Sequence, residues 1–152
     1  MYVRDGSVEQ HIGNGVYQYE KGTACLLNRN TRHFEVLGER YFLLLLCLSR
    51  DFSRDSVTAY PPAAGQQNIV YDFFASNLDN QAQYQKDYLE FTPAAPSSTA
   101  QVDGLLEDLA REMLLKQPGH THMVVGLLSR ILASLQETGL YHCAHVKLDS
   151  SA

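Results

Sequence analysis

The chain has 152 residues, a net charge of −5 and only 12 lysine and arginine residues. Its length suits one domain with one core, and its acidic balance argues against a nucleic-acid surface, which neutralises phosphates with lysine and arginine. No apolar run approaches the ~20 residues that a membrane-spanning helix needs. The cysteines, an odd number at wide spacing, are expected to be reduced thiols of a cytoplasmic protein, with Cys25 and Cys47 in the core.

The first 49 residues are predicted to be all-β. Short strands are expected over residues 2–4, 8–12 and 16–19, separated by the turn dipeptides Asp5-Gly6 and Gly13-Asn14. Strands at such short and regular intervals indicate a meander or small barrel rather than a parallel sheet. Because the first strand begins almost at the first residue, we expect the barrel to lack an edge strand and to leave one edge open.

The most informative segment follows these strands. Gly22 permits the positive φ of a tight reversal, residues 24–27 form a short apolar strand, and residues 28–31 suit a second turn because asparagine tolerates left-handed conformations. His33 and Glu35 then share one face of the next strand, since side chains alternate along a strand. A further apolar strand is predicted over residues 40–49, after a break at Gly38.

The spacing of this segment resembles the second motif of the cupin barrels, G-x5-P-x-G-x2-H. Gly22 and His33 match the motif, while Asn28 and Asn30 stand at its proline and second glycine. Cupins that use a metal also carry an earlier His-x-His strand and a glutamate, whereas His11 stands alone upstream. The resemblance therefore implies the barrel and does not imply a metal or another cofactor.

The pattern changes after Arg50. We expect a short helix over residues 51–57, a loop over 60–65 and apolar segments over 69–74 and 84–91, the second with a strand over 88–91. Residues 92–99 are rich in proline and serine and are predicted to be a linker.

Two amphipathic helices are predicted after the linker. Apolar side chains recur at steps of three and four residues from Val102 to Met113 and again from Val124 to Leu135, with Thr121 as the expected cap of the second helix. A short connection predicts an antiparallel hairpin. The tail over residues 142–152 has no periodicity and is expected to be frayed.

A mainly β region with a small cupin-like barrel of jelly-roll type, followed by a two-helix hairpin, resembles the amino-terminal half of AraC-like transcription regulators. The division is 1–95 for the barrel, 96–141 for the hairpin and 142–152 for the tail. The resemblance implies that the barrel binds a small-molecule effector, a sugar, an aromatic compound or an organic acid. It implies a homodimer as well, and DNA binding only through a carboxyl-terminal domain that this chain does not contain.

Alternate positions of the predicted strands are expected to line the effector pocket. They are Tyr17, Tyr19, Cys25, Leu27, His33, Glu35, Tyr41 and Leu43. The apolar side chains of the hairpin exceed one helix face, so we expect some of them to join two copies of the chain. They are Leu105, Leu109, Met113, Leu127, Ile131 and Leu135. The alternative is a monomer in which the barrel covers the hairpin.

The alternative function is a stand-alone metal-dependent cupin enzyme, an isomerase or dioxygenase, that uses His33 as a ligand. Divalent sites need about three convergent donors, and the pairs His120/His122 and His142/His145 lie outside the barrel pattern. The sequence contains no G-x-S-x-G elbow, phosphate loop or CxxC pair. We therefore predict neither catalytic residues nor a metal site.

Overall fold

The computed structural model describes residues 1–59, 61–79 and 86–149. Within these ranges the chain forms six strands and four α-helices, followed here in chain order: β1 (Tyr2–Ile12), β2 (Gly15–Glu20), β3 (Ala24–Leu27), β4 (His33–Leu44), α1 (Arg50–Ala59), α2 (Ile69–Leu78), β5 (Asp87–Pro93), α3 (Ala100–Leu115), α4 (His120–Leu135) and β6 (Tyr141–Lys147). None of the helices in these ranges has the length and apolar character needed to cross a membrane.

The strands form one antiparallel sheet that curls into a half-barrel. β1 pairs with β4 along one side, and along its other side it pairs with β3 near Tyr2 and with β2 from Ser7 onward. β5 and β6 follow β3 in order. Within the described residues β4 and β6 each pair on one side only, so the two ends of the sheet stay apart. The prediction of a mainly β region with a helical hairpin is confirmed at this level.

Two hydrophobic cores lie on opposite faces of the sheet. The inner core fills the half-barrel and consists of Val3, Val8, Ile12, Tyr19, Cys25 and Tyr88. The helix core lies between the other face and the helices, and its largest contributors are Phe73, Phe74, Leu89, Phe91, Leu106, Leu109, Leu127, Ile131 and Leu135. β5 serves both cores because its side chains alternate: Tyr88 belongs to the inner core and Leu89 and Phe91 to the helix core.

The predicted turn at Asp5-Gly6 is wrong, since both residues lie inside the continuous strand β1. Gly6 has a φ of 72°, and a Cβ there would lie 2.2 Å from the carbonyl oxygen of Arg40. The pairing of β1 with β4 shifts register next to Gly6, so this glycine marks a bulge rather than a reversal. An Asp-Gly dipeptide is compatible with a bulge as well as with a reversal, because each needs a residue with a positive φ.

The predicted break at Gly38 is also wrong, because β4 runs through it. Between the pairs Val8–Leu37 and Gly6–Tyr41, β4 has three residues where β1 has only Ser7, so the irregularity is again a bulge. The strand predicted over residues 40–49 ends at Leu44, and residues 45–49 are irregular.

The structure assigns one element of the second half that was left without a type, and it corrects another. The apolar segment at 69–74 begins α2, whose first turn is capped by the Asn68 side chain accepting from the Tyr71 amide at 2.9 Å. The tail predicted to be frayed contains β6, which pairs with β5 along its whole length. α1 and β5 lie where helix and strand were predicted, while Tyr60 and residues 80–85, including Tyr84, lie outside the described residues.

α3 and α4 form the predicted hairpin. α4 begins at His120 after Gly119, whose φ is 84°, so Thr121 lies inside the first turn and is not the cap. Most of the expected dimer-interface side chains are occupied within the chain. Leu109, Leu127, Ile131 and Leu135 are buried in the helix core and Leu105 packs against it, while Met113 is 51% exposed.

The double-sided burial of β5 leads to a stability prediction. Leu89 is fully buried, so Leu89→Ala should remove about 3 kcal/mol from the free energy of unfolding through lost apolar contact and the cavity left behind. Leu114→Ala is the matched control, because this leucine is 82% exposed and its loss should cost under about 0.5 kcal/mol. Urea unfolding followed by circular dichroism measures both. Equal losses would contradict the position of β5 between the cores.

Candidate functional site

A cleft of about 410 Å³ opens between the β3–β4 region and the helices α1 and α2. This volume falls within the range of about 300–1,000 Å³ that small-molecule sites occupy. Its wall combines apolar side chains with a few polar groups. The principal contributors are Cys25, Leu27, Asn28, Arg29, His33, Glu35, Leu45, Leu46, Cys47, Leu48, Arg50, Phe73, Phe74 and Asn77.

The strand–turn–strand segment identified in the sequence builds one wall of this cleft. Gly22 has a φ of 89°, and a Cβ there would lie 2.4 Å from the Thr99 side chain, so only glycine fits. The turn after β3 closes when the Thr31 amide donates to the Asn28 carbonyl at 2.9 Å. This reversal brings His33 and Glu35 of β4 to the same cleft as β3.

A buried carboxylate holds Asn28 of the cleft wall in place. Asp87 is 5% exposed, and its Oδ1 accepts from the Asn28 amide at 3.2 Å while its Oδ2 accepts from His145 Nε2 at 2.8 Å. Asn28 also donates to Asn77 of α2, and Thr31 Oγ1 donates to the Asp87 carbonyl at 3.1 Å. Unpaired, a buried carboxylate would be costly. These bonds therefore fix the turn, β5, β6 and α2 against one another.

His33 presents one defined ring nitrogen to the cleft. Its Nδ1 lies 2.8 Å from the Thr31 carbonyl oxygen, which can only accept, so Nδ1 carries the hydrogen of this bond. In the neutral ring, Nε2 then has a free lone pair and can accept a hydrogen bond from a ligand. Glu35 lies two residues further along the same face of β4, opposite Gln10 of β1.

Two arginines give the cleft a positive edge. Arg50 begins α1, and its Nη2 donates to the Leu78 carbonyl at the end of α2 at 3.4 Å. Arg29 stands in the turn after β3, and within the described part of the chain it makes no hydrogen bond or ion pair. Among the described lining residues, Glu35 is the one carboxylate. The guanidinium groups suit a planar anion such as a carboxylate.

The cysteines differ in environment. Cys25 is buried, and burial raises the pKa of its thiol to about 12. Cys143 is partly buried, and burial raises the pKa of its thiol to about 11. Cys47, which was expected in the core, is exposed and lies on the cleft wall, because β4 ends before it. All three are free thiols.

The structure brings together four of the eight predicted pocket residues: Cys25, Leu27, His33 and Glu35. Tyr17 and Tyr19 instead line a separate groove of about 770 Å³, where the Tyr19 hydroxyl donates to Glu90 Oε2 at 2.6 Å. Burial raises the pKa of Tyr19 well above its usual range. Tyr41 is exposed, and Leu43 packs against the inner core.

Sequence reasoning missed the arginines and the α2 side of the cleft. Arg29 lies within the predicted turn and Arg50 directly precedes the predicted helix, but neither belongs to a motif. Phe73 and Phe74 lie in a helix that the apolar pattern did not distinguish from a strand. Within residues 1–59, 61–79 and 86–149, no group of three or more histidine, cysteine or acidic side chains is arranged to hold a metal ion. His145 and Asp87 form a pair at 2.8 Å, which is fewer than the three donors that a divalent site needs.

The thiol environments predict selective chemical modification. At pH 8 iodoacetamide should modify Cys47 at least tenfold faster than Cys25 or Cys143, because the thiolate is the reactive form and both raised pKa values lie well above this pH. Peptide mass mapping over a time course measures the three rates. In urea the rates should converge, and rapid native modification of Cys25 would contradict its buried position.

No protein-family model matches the chain, and comparison with curated proteins and with solved structures finds no match.

Proposed function

We propose that the chain is the effector-sensing and dimerisation domain of a bacterial AraC-like transcription regulator, with a cupin-like jelly-roll barrel reduced to an open half-barrel. The observation that carries this proposal is the cleft between the β3–β4 region and the helices α1 and α2. It has the volume of a small-molecule site, it is lined by residues of the cupin-like segment, and α1 and α2 form its opposite wall. In this function the protein acts by binding and not by catalysis.

The chemistry of the cleft favours an organic acid over a sugar or a neutral aromatic compound. Arg29 and Arg50 offer guanidinium donors to a carboxylate. Phe73, Phe74 and the irregular segment after β4 offer an apolar wall for the body of the ligand. Nε2 of His33 is available as an acceptor for a ligand hydroxyl or N–H group.

A polar bridge supports communication between barrel and hairpin. The Tyr2 hydroxyl donates to Asp103 Oδ1 at 2.6 Å, and Arg4 pairs with Asp103 at 3.1 Å and with Glu107 at 2.9 Å. These contacts join the start of β1 to α3, and Asp103 and Arg4 are both largely shielded from solvent. A ligand that favours one packing of the sheet against the helices would shift the population of hairpin positions.

Binding of an organic acid is tested by calorimetric titration of a panel of small aromatic and aliphatic acids, each beside its uncharged amide. We expect at least one acid to bind more tightly than its amide. Arg29→Gln should lower the affinity for that acid at least tenfold, about 1.4 kcal/mol of binding free energy, because it removes the charge and the bidentate donor pair. Arg111→Gln, on an exposed and remote part of α3, should leave the affinity unchanged.

Protection of the Cys47 thiol from chemical modification tests independently where the ligand binds. The binding acid should slow iodoacetamide modification of Cys47 severalfold, because this thiol lies on the cleft wall. If no acid in the panel protects Cys47, or if Arg29→Gln and Arg111→Gln bind equally well, the cleft is not the effector site.

The polar bridge predicts that a variant can keep ligand binding and lose the effect of the ligand on α3. Asp103→Asn removes the charge that pairs with Arg4 and is expected to leave acid affinity within about threefold, since Asp103 lies outside the cleft. In this variant the ligand-induced change in amide hydrogen exchange of α3 should be lost. Asp108→Asn, whose carboxylate pairs only with exposed Arg111 among the described residues, should keep the response. An unchanged response in Asp103→Asn would show that the bridge does not transmit.

A further inference from the structure

β4 has an open edge and an exposed apolar surface. Among the described residues only β1 pairs with it, so the backbone groups along its other edge meet no strand. Several large side chains on β4 and just after it are about half exposed. They are Phe34 51%, Val36 48%, Leu37 45%, Tyr41 46%, Phe42 53% and Leu45 63%.

These side chains divide between the two faces of β4. Phe34 lies opposite His11, with the rings stacked 4.2 Å apart, and Val36 lies opposite Glu9, so the even-numbered positions face away from the inner core. Leu37 lies opposite Val8 of the inner core, so the odd-numbered positions face inward. Cross-strand neighbours share a face, and any strand added at this edge must respect this alternation.

The size of the exposed surface fits a second folded partner. Six large side chains that are each about half exposed present roughly 500–600 Å² of mainly apolar area, against about 800 Å² per partner in a standard interface. The backbone edge of a 12-residue strand adds further area and a row of hydrogen-bonding groups.

The charges of β4 discriminate between registers of pairing with a second copy. In an antiparallel pair of β4 strands related by a two-fold axis, opposed side chains lie on the same face of the sheet only when the axis passes between the two copies of one residue. Four residues of β4 can occupy this axis with nine or more residues of each strand paired. An axis at Leu37 places Glu35 opposite Glu39. An axis at Glu39 places the two copies of Glu39 opposite each other, and an axis at Arg40 places the two copies of Arg40 opposite each other. Each opposes like charges, which destabilises a cross-strand pair.

The remaining axis passes through Gly38, the first residue of the β4 bulge at residues 38–40, and opposes no like charges. Gly38 has no side chain, and a Cβ built there meets nothing within 4 Å, so two backbones can approach closely at the axis. Among the other opposed pairs, Phe34 with Phe42 is complementary in size and Glu35 with Tyr41 in polarity, while Leu37 lies opposite Glu39, Val36 opposite Arg40 and His33 opposite Leu43.

We propose that β4 pairs with β4 of a second copy, antiparallel about a two-fold axis at Gly38, and so continues the sheet across the dimer. This inference rests on the dimerisation part of the proposed function and assigns the interface to the strand instead of the hairpin. The leucines of the hairpin that were expected at the interface, Leu105, Leu109, Leu127 and Leu135, pack in or against the helix core, whereas β4 keeps its apolar residues and its backbone edge free within the described chain.

Cross-linking at the axis tests the register. In a Cys47→Ser background, Gly38→Cys should form a disulfide-linked dimer under mild oxidation, because directly opposed residues have the Cα separation that a disulfide requires. Val36→Cys is the matched control: in this register the two copies of residue 36 lie four positions, about 13 Å, apart and cannot be bridged. Failure of Gly38→Cys to cross-link, or equal cross-linking of Val36→Cys, would overturn the register.

Sedimentation velocity tests the surface without oxidation. The wild-type chain of 17.0 kDa should sediment as a dimer at about 100 µM, and Gly38→Arg should raise the dissociation constant at least tenfold by placing two like charges at the axis. Leu114→Arg on the exposed end of α3 should change the dissociation constant less than twofold.

The outcomes separate this inference from the sensing function. Dissociation by Leu114→Arg but not by Gly38→Arg would overturn the β4 interface and leave a hairpin-mediated dimer in place. A monomeric wild-type chain would overturn both interfaces and assign the β4 surface to a different protein. Acid binding at the cleft is measured separately, so its failure would remove the sensor proposal and leave the β4 pairing intact.

Discussion

The fold depends on the burial of β5 on both faces. Tyr88 fills the half-barrel while Leu89 and Phe91 support the helices, and all three are at most 1% exposed. Between Asp87 and Phe91 this strand has little contact with solvent, so its carboxylates need partners. Glu90 accepts from Tyr19 of β2, and Asp87 accepts from Asn28 and His145. These two carboxylates connect the strand to elements on either side of it.

The cleft follows from this requirement. Asp87 needs donors, and the donor that reaches it from the β3–β4 turn fixes Asn28, which places Arg29 and His33 at the cleft edge. The same amide contacts α2 through Asn77, so the turn and the helix meet at one buried point. A ligand in the cleft would therefore contact residues held by the structural core of the chain. Such support is what a preorganised binding site needs.

The sequence predicts an intermolecular apolar surface on the helices, whereas in the structure the helices are largely covered and β4 is exposed. The leucines of α3 and α4 are numerous enough for an intermolecular face, yet the helix core uses most of them against the sheet. β4 has the composition of a half-buried strand, yet the described chain covers only its β1 side. An apolar strand with a free edge carries a cost in solubility and in unpaired backbone groups. Self-pairing would remove that cost.

Local signals in the sequence determined the turn–strand–turn segment, the strand at β5 and the helical hairpin, because these elements depend on glycine geometry and on short-range periodicity. The same signals failed at Asp5-Gly6 and Gly38, where a positive φ or a missing side chain serves a bulge in a long strand. They left the type of α2 undecided and failed for β6, and both elements are stabilised by contact with β5 or the helix core. The sequence placed Cys25, Leu27, His33 and Glu35 near one another because they belong to one local reversal. Only the tertiary structure decided that Arg50 and Phe73 join them, since that depends on how α1 and α2 pack against the sheet.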